Sequence, residues 1–387
     1  MSKEKRIKIF VDGDVLVHKH FSGIGHYTAE ILKALDRLLY DERYSRITVE
    51  VGVPLFKKHE LGKYGFNNFA IRTIPLPLRF INKLRNKDLL PPLDLFFGKK
   101  LYIFPNYSSW PTLFSKSVPI VYDLSFIKFP QFVEPQNQKL LTKEVQKSIK
   151  RSFRVITISM NSKKEISDYY KYAEDDIEIL FPAVDMHNFY RRSTDEIEFT
   201  KAKYGVFGDY IIFVGNLEPR KNLITLLKAY DNLPKKIQEK YSLLLVGAKG
   251  WLNNDITKYI IDMRTRGLRV IQPIDYVNDN DIPALYSGAK LSAYVSVYEG
   301  FGIPPIESMA CGTPVIASDN SSIPEAVGDA AIKISALDDR TLTKEIIHLL
   351  GDESLRKKYI SLGYEQINRY SWEKSAEDLI TLAEESL

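Results

Sequence analysis

"YEGFGIPPIESMACGTPV" (298–315) follows an apolar run, "LSAYVSV" (291–297), and sets two glutamates, two glycines and two prolines within ten residues. The run reads as a strand and "IPPIESMAC" as a helix start. Pro304 and Pro305 fit a first helical turn, where a missing N–H costs nothing. Gly300 and Gly302 let the backbone approach a ligand closely. The amides of Phe301, Gly302 and Ile303 then face outward at the positive end of the helix, a ready site for an anion. Glu299 stands before the turn and Glu307 about one turn into the helix. A strand that passes through a glycine turn into a helix with such a site is the building unit of a doubly wound α/β domain.

The rest of the chain repeats that unit. Short runs rich in Val, Ile, Leu, Phe and Tyr each precede a helical pattern: "IKIFV" (7–11), "ITVEVGV" (47–53), "LYIFP" (101–105), "PIVYD" (119–123) and "RVITIS" (154–159). A second series reads "YIIFVG" (210–215), "YSLLLVG" (241–247), "RVIQP" (269–273), "LSAYVSV" (291–297) and "PVIAS" (314–318). Continuous apolar strands alternating with helices imply parallel sheets covered on both faces. Two series imply two doubly wound, Rossmann-like domains. The polar stretch "FPAVDMHNFYRRSTDEIEF" (181–199) separates them. The expected division is 1–188 plus 371–387 for one domain and 189–370 for the other. "YSWEKSAEDLITLAEESL" (370–387) reads as an amphipathic terminal helix, with Ser371 as N-cap and Glu373 in the first turn.

The chain has 387 residues, of which 44% are apolar and 27% charged, the balance of a globular protein. "MSKEKRIKIF" lacks the long apolar core of a signal peptide, and no run of about 18 apolar residues suggests a membrane span. The single cysteine, Cys311, excludes an internal disulfide and fits a reducing compartment. It reads as a small core residue. The net charge of +5 is uneven: residues 1–190 hold 30 Lys and Arg against 21 Asp and Glu, the remainder 24 against 28. That excess is too small and too scattered for nucleic acid.

Two further stretches carry chemistry. In "FVGNLEPRKNL" (213–223) a strand ends at Gly215, a polar loop follows, and Arg220 and Lys221 precede a helix. Adjacent cations at a strand-to-helix turn suit a pyrophosphate, Arg as a planar fork and Lys as a compact charge; the plainer reading is a solvated pair. In "HFSGIGHYTAEILKAL" (20–35), Gly23 and Gly25 precede a helix. The string is G-x-G-x-x-T, so the third glycine of a dinucleotide fingerprint is missing, which argues against a dehydrogenase. Glu299 and Glu307 fit an acid–nucleophile pair less well than separate roles: retaining hydrolases hold the two carboxyls about 5–5.5 Å apart, and eight helical residues span about 12 Å, though the turn between them shortens this. Separate duties follow, Glu299 toward sugar hydroxyls and Glu307 toward ribose hydroxyls, unless each is simply a carboxylate favoured by the helix dipole.

Together these stretches resemble the GT-B-fold, family 4 retaining glycosyltransferases. "EGFGIPPIE" matches the E-x7-E motif as Glu299 and Glu307, and "GNLEPRKN" the diphosphate-binding Arg-Lys pair as Arg220 and Lys221, with Asn216 in the same loop. "GIGHYTAEIL" matches the first glycine loop, "YDLSFIKFP" the central strand end of the acceptor domain, and "SIPEAVGDAA" (322–331) the sequel to the E-x7-E helix. In overall wording the chain is similar to bacterial mannosyltransferases of polysaccharide assembly. The resemblance implies two domains facing a cleft, a nucleotide-sugar donor on the C-terminal one, and an acceptor approaching from the N-terminal one. It implies transfer with retention by front-face attack, with the leaving phosphate taking the acceptor proton. It implies no cofactor and no metal, the nucleotide sugar being a co-substrate, with GDP-mannose favoured. The acceptor is a saccharide or lipid-linked saccharide. Catalysis falls to Glu299, Arg220, Lys221 and Asp123. Donor contacts fall to Gly23, Gly25, Asn216, Arg220, Lys221, Ile274, Tyr276, Glu299, Gly300, Phe301, Gly302, Ile303 and Glu307, and acceptor contacts to His26, Tyr122, Asp123 and Ser159.

Two departures stand out. The family often has His-Asp where this chain has Tyr122–Asp123, so the histidine's role has either moved, to His26, or donor handling differs. Asp275 in "IDYVNDND" replaces a usual glycine; beside it Ile274 and Tyr276 either flank a nucleobase or pack in the core. "DGD" (12–14) and "DND" (279–281) spell D-x-D, yet the first comes too early for a metal-binding signature and Asp281 reads as an N-cap. The six histidines show no ligand spacing. "LPLRFINKLRNKDLLPPLDLFFGKK" (76–100) interleaves apolar residues with cations and could lie on an anionic membrane; "KLLTKEVQKSIKRSFR" (139–154) reads rather as a solvated helix face. The expected location is cytoplasmic, peripheral at the inner face of the plasma membrane. A nucleotide-sugar epimerase and a non-catalytic nucleotide-sugar-binding subunit share the two-domain plan and stand as rivals.

Overall fold

The computed structural model describes residues 6–17, 23–248, 250 and 254–386. The chain forms two compact units, Met1–Pro182 with Ser371–Leu387, and Ala183–Tyr370. Sequence reading puts the division at 188/189. In the structure the turn after Ala183 goes with the second unit, because Phe189 packs on that unit's core.

The first unit is built on β1 (Ile7–Asp12), β2 (Ile47–Pro54), β3 (Phe69–Ile74), β4 (Leu101–Phe104) and β5 (Lys116–Pro119), in the order β3-β2-β1-β4-β5. Every pairing is parallel. β4 is buried along its whole length, as its unbroken "LYIF" requires. β3, "FAIRTI", alternates buried and exposed positions at the sheet edge; that half-polar pattern hid it from the sequence reading. The strand expected at 119–123 is displaced to Lys116–Pro119, and beyond it only Ile120 bridges to Ile156. A proline has no ladder donor, so regular pairing ends there. β6 (Val155–Thr157) and β7 (Ile177–Ile179) then pair in parallel. Helix Trp372–Glu385 closes the unit. Ser371 caps it by accepting from the Lys374 amide, and Ser375 donates to the Phe181 carbonyl at 2.7 Å. The Trp372 ring meets Tyr27 edge-on, 5.4 Å between centroids.

The second unit has a six-stranded sheet of β8 (Asp209–Val214), β9 (Tyr241–Val246), β10 (Val270–Ile271), β11 (Leu291–Tyr294), β12 (Val315–Ser318) and β13 (Ala331–Ile334). The order is β10-β9-β8-β11-β12-β13, again all parallel. β9, β11 and β12 are buried throughout, as expected of strands with helices on both faces. Cys311 is buried in the core beside Tyr210, Leu285 and Tyr286. The run expected to continue to Val297 leaves the sheet at Tyr294, because Val297 donates its N–H to the Arg220 carbonyl at 2.9 Å. The strand order of this sheet reverses between β8 and β11. Ligands of open α/β sheets bind outside the carboxyl ends of strands at such a reversal.

Candidate active site

The reversal gathers residues from two turns. After β8, Gly215 takes φ +150° and the chain runs to a 3-10 turn, Pro219–Lys221. Asn222 follows at φ +55°, a left-handed position that asparagine tolerates. Its side-chain amide donates to the Val295 carbonyl (3.0 Å) and the Ala336 carbonyl (2.5 Å), which clamps the start of helix Leu223–Asp231 to the segments after β11 and β13. Arg220 and Lys221 are thereby fixed by backbone geometry before their side chains make any contact.

Their partner is Glu299. Arg220 Nη1 donates to Glu299 Oε2 at 2.7 Å and to the Tyr298 carbonyl at 2.7 Å. Lys221 Nζ donates to Glu299 Oε1 at 2.7 Å and to the Tyr294 hydroxyl at 2.7 Å. Tyr294 in turn donates to the same Oε1 at 3.0 Å. The Glu299 amide donates to Ser321 Oγ, and Ser322 Oγ donates to the carbonyls of Glu299 and Phe301. The segment after β12 therefore holds the glutamate loop from behind.

The electrostatics follow from burial and proximity. Burial alone would raise the Glu299 carboxyl, but Arg220 and Lys221 outweigh it and hold the pKa at about 2. Burial lowers the Lys221 ammonium, and the neighbouring Glu299 only partly restores it. Glu307 is the opposite case: burial, with Asp279 and Asp185 nearby, pushes it up to about 8. The two carboxyls of one motif thus titrate in opposite directions, Glu299 held ionised by its cations and Glu307 pushed toward its neutral form.

Helix Ile303–Ala310 begins as read, with Gly302 at φ +118° as its N-cap and prolines in the first turn. Since Pro304 and Pro305 lack N–H groups, Gly302 and Ile303 supply amides at that end. Phe301 is buried, its ring edge-on to Tyr370 at 5.0 Å. Gly300 precedes it in the same loop. Asn216 is exposed and its amide donates to Glu218 at 3.3 Å. Ile274 and Tyr276 are fully and largely exposed, at 102% and 74%, which removes the core-packing reading of both. Asp281 does not cap its helix: its carboxylate accepts from Lys203 and from the Tyr204 hydroxyl, each at 2.6 Å. Two donors on a neighbouring helix end outcompete the backbone amides for it.

In the first unit, Gly23 opens helix Gly23–Leu38 and Gly25 lies within its first turn rather than ahead of it; Thr28 Oγ1 donates to the Ile24 carbonyl at 2.8 Å. The residues leading into Gly23, with His18 and His20, lie outside the described residues. His26 is exposed on the same helix. Tyr122 is buried, its hydroxyl donating to the Pro105 carbonyl at 2.9 Å and its ring edge-on to Tyr27. Asp123 Oδ1 accepts from the Ser125 amide at 2.9 Å. Ser159 is the N-cap of helix Met160–Tyr170, accepting from the Ser162 amide. Among the described residues, no group of three or more His, Cys, Asp or Glu side chains is placed to hold a metal.

The sequence reading reached Arg220, Lys221 and Glu299 but passed over Tyr294, Asn222, Ser321 and Ser322. Tyr294 was visible only as one more aromatic in an apolar run. For Asn222 the one local signal is the residue type itself, since asparagine tolerates the left-handed conformation ahead of a helix.

Comparison with known proteins accords with this geometry. Residues 197–366 match the family described as "Glycosyl transferases group 1". The "O-antigen chain mannosyltransferase B" of Escherichia coli is 32% identical over 274 residues, 70% of this chain and 71% of that protein. The "Serotype-specific mannosyltransferase WbdA" of the same organism is 27% identical over 262 residues, 67% of this chain but only 31% of the relative's length. Among solved structures, Anabaena Alr3699/HepE in complex with UDP-glucose superposes with a TM-score of 0.71 over 98% of this chain and 100% of that one, at 18% identity.

Proposed function

This chain belongs to the group 1 glycosyl transferases, with the GT-B fold of two Rossmann-like domains, and on that premise we propose that it transfers mannose from GDP-mannose to a saccharide or lipid-linked saccharide acceptor. The mannosyltransferase relatives support the sugar and a place in polysaccharide assembly; the UDP-glucose complex of HepE supports a nucleotide-diphosphate donor. The observation that carries the reading is the cation pair: Arg220 and Lys221 meet Glu299 at 2.7 Å at the strand-order reversal.

In the proposed reaction an acceptor hydroxyl attacks the anomeric carbon on the face from which the diphosphate departs. The bond from that carbon to the phosphate oxygen breaks, a new glycosidic bond forms, and the hydroxyl proton passes to a phosphate oxygen. The configuration is retained. Negative charge grows on the leaving group, so groups that bind it more tightly as it departs lower the barrier. Arg220, Lys221 and the amides of Gly302 and Ile303 are such groups, and with fixed cations in that role no metal or cofactor is invoked. Glu299 holds both cations toward one point and offers its carboxylate edge to a sugar hydroxyl. Glu307, exposed Ile274 and Tyr276, and Asn216 are assigned to the nucleoside side. His26, Tyr122, Asp123 and Ser159 are assigned to the acceptor side, where Tyr122, with its hydroxyl on Pro105, would act through its position.

We also propose peripheral contact with an anionic membrane through residues 76–100, from the cytoplasmic side. Phe80, Leu89, Leu95 and Phe96 are exposed there beside exposed Arg79, Lys83, Lys87 and Lys99. In the second basic stretch Val145 and Ile149 are buried and Lys143 and Lys147 pair with Asp88, the pattern of a solvated face over a core. No described helix is long and apolar enough to cross a membrane.

A thermal-shift panel of GDP-, UDP-, ADP- and dTDP-sugars tests the donor. GDP-mannose at 100 times its dissociation constant should add about 2.7 kcal/mol of stability. Equal shifts from all four, or none, would remove the GDP-mannose assignment.

A further inference from the structure

Tyr294 closes β11 with its side chain buried, and its hydroxyl performs two opposite tasks. It accepts a hydrogen bond from Lys221 Nζ at 2.7 Å and donates one to Glu299 Oε1 at 3.0 Å. A hydroxyl can do both, whereas a carboxylate could only accept and an ammonium only donate. Burial, reinforced by the Glu299 carboxylate, keeps the phenol protonated, so the donor half of the arrangement persists.

The consequence lies in the direction of Lys221. An ammonium has three N–H donors on a tetrahedral nitrogen. Two of them go to Tyr294 and Glu299. Two fixed directions set the third. Without the phenol, the ammonium would swivel about its single bond to Glu299. The lysine stem and the tyrosine ring are held as well. The Phe213 ring stacks on Tyr294 at 5.9 Å with an interplanar angle of 13°. A Cβ on Gly215 would lie 3.2 Å from Phe213 Cζ and 3.8 Å from Lys221 Cε, so the glycine leaves room for both to stand side by side.

We propose that Tyr294 is a positioning residue that aims the third N–H of Lys221 at the leaving diphosphate. This rests on the reading of Arg220 and Lys221 as the diphosphate-binding pair. The charged groups facing Lys221 are Glu299, Arg220 and Glu218. None of them replaces the phenol: Arg220 repels the ammonium, Glu299 already takes another of its protons, and Glu218 acts on it through charge.

The test compares wild type, Tyr294→Phe and Lys221→Ala, with GDP as the probe in titration calorimetry from pH 7 to 10 and GDP-mannose turnover alongside. Tyr294→Phe keeps the ring and its packing on Phe213, so the variant should fold, with a lowered unfolding temperature from the lost buried hydrogen bonds. GDP affinity should fall about tenfold, the loss of one hydrogen bond to a charged group. The alkaline pH at which affinity declines should also move down, because Lys221 loses a partner that favours its charged form. With GDP-mannose, kcat should fall by more than KM rises. Phe213→Leu, which retains the hydroxyl and loosens the ring beneath it, should give a smaller loss in the same direction. If Tyr294→Phe matches wild type in affinity and pH profile while Lys221→Ala loses binding, the positioning role is wrong and the diphosphate reading stands. If Lys221→Ala binds GDP as wild type does, both fall.

Discussion

Glu299 and Glu307 sit eight positions apart and titrate in opposite directions, which makes each a pH probe of its own surroundings. Glu299, held at about 2, is depressed below its unfolded value. It contributes stability at neutral pH that is lost as pH falls below about 4.5 toward 2. Glu299→Gln should therefore flatten the acid limb of a stability-against-pH curve, measured by urea unfolding. Glu307, at about 8, is raised above its unfolded value. Its contribution is complete below about 4.5 and lost as pH climbs through 8, since the unfolded carboxyl ionises first. Glu307→Gln should be more stable than wild type at pH 8, with little difference at pH 4. Equal stability at both values would contradict the raised pKa. Both glutamates were legible in the sequence because their motif is local. Their protonation was not, because the cations come from residues 220 and 221 and the acids from 185 and 279. Asp281 shows the same limit: aspartate before a helix reads as a cap, yet two side chains from a helix end some 77 positions away claim its carboxylate.

At the scale of elements, strands β8 to β12 were easy to read, since each lies in a largely apolar run between turns. The missed strands were β3, half-polar at an edge, and the short β7 and β13, where Glu178 and Lys333 break the apolar run. The active-site turns depend on close backbone approach. A Cβ on Gly247 would lie 2.1 Å from the Gly215 carbonyl oxygen, at a φ of +150°. Gly247→Ala must push the β8 and β9 ends apart and should cost at least about 2 kcal/mol, with weaker GDP binding because Gly215 leads into the Arg220 turn. Gly267, at φ +85° with open space around it, provides the control: alanine there should cost only conformational strain and leave GDP affinity unchanged. Loss of GDP binding in both variants would indicate a global effect.

At the scale of the whole molecule, the two units differ in charge as well as in fold detail. The basic excess lies in the first 190 residues, where the exposed apolar and cationic residues of 76–100 also lie. If that face meets anionic lipid, flotation with phosphatidylglycerol vesicles should fall as salt rises. It should also fall in an Arg79→Glu, Lys83→Glu, Lys87→Glu variant that retains GDP-mannose turnover with soluble acceptors. Flotation indifferent to salt and to the three charges would remove the electrostatic component.

The central claim is that Arg220 and Lys221, with the amides at the start of helix Ile303–Ala310, receive the donor's leaving diphosphate. A crystal structure with GDP bound measures it most directly. Phosphate oxygens within about 3 Å of the Arg220 guanidinium and Lys221 ammonium, close to the Gly302 and Ile303 amides, are the predicted result. A diphosphate lodged elsewhere, with Glu299 still holding both cations, would contradict it.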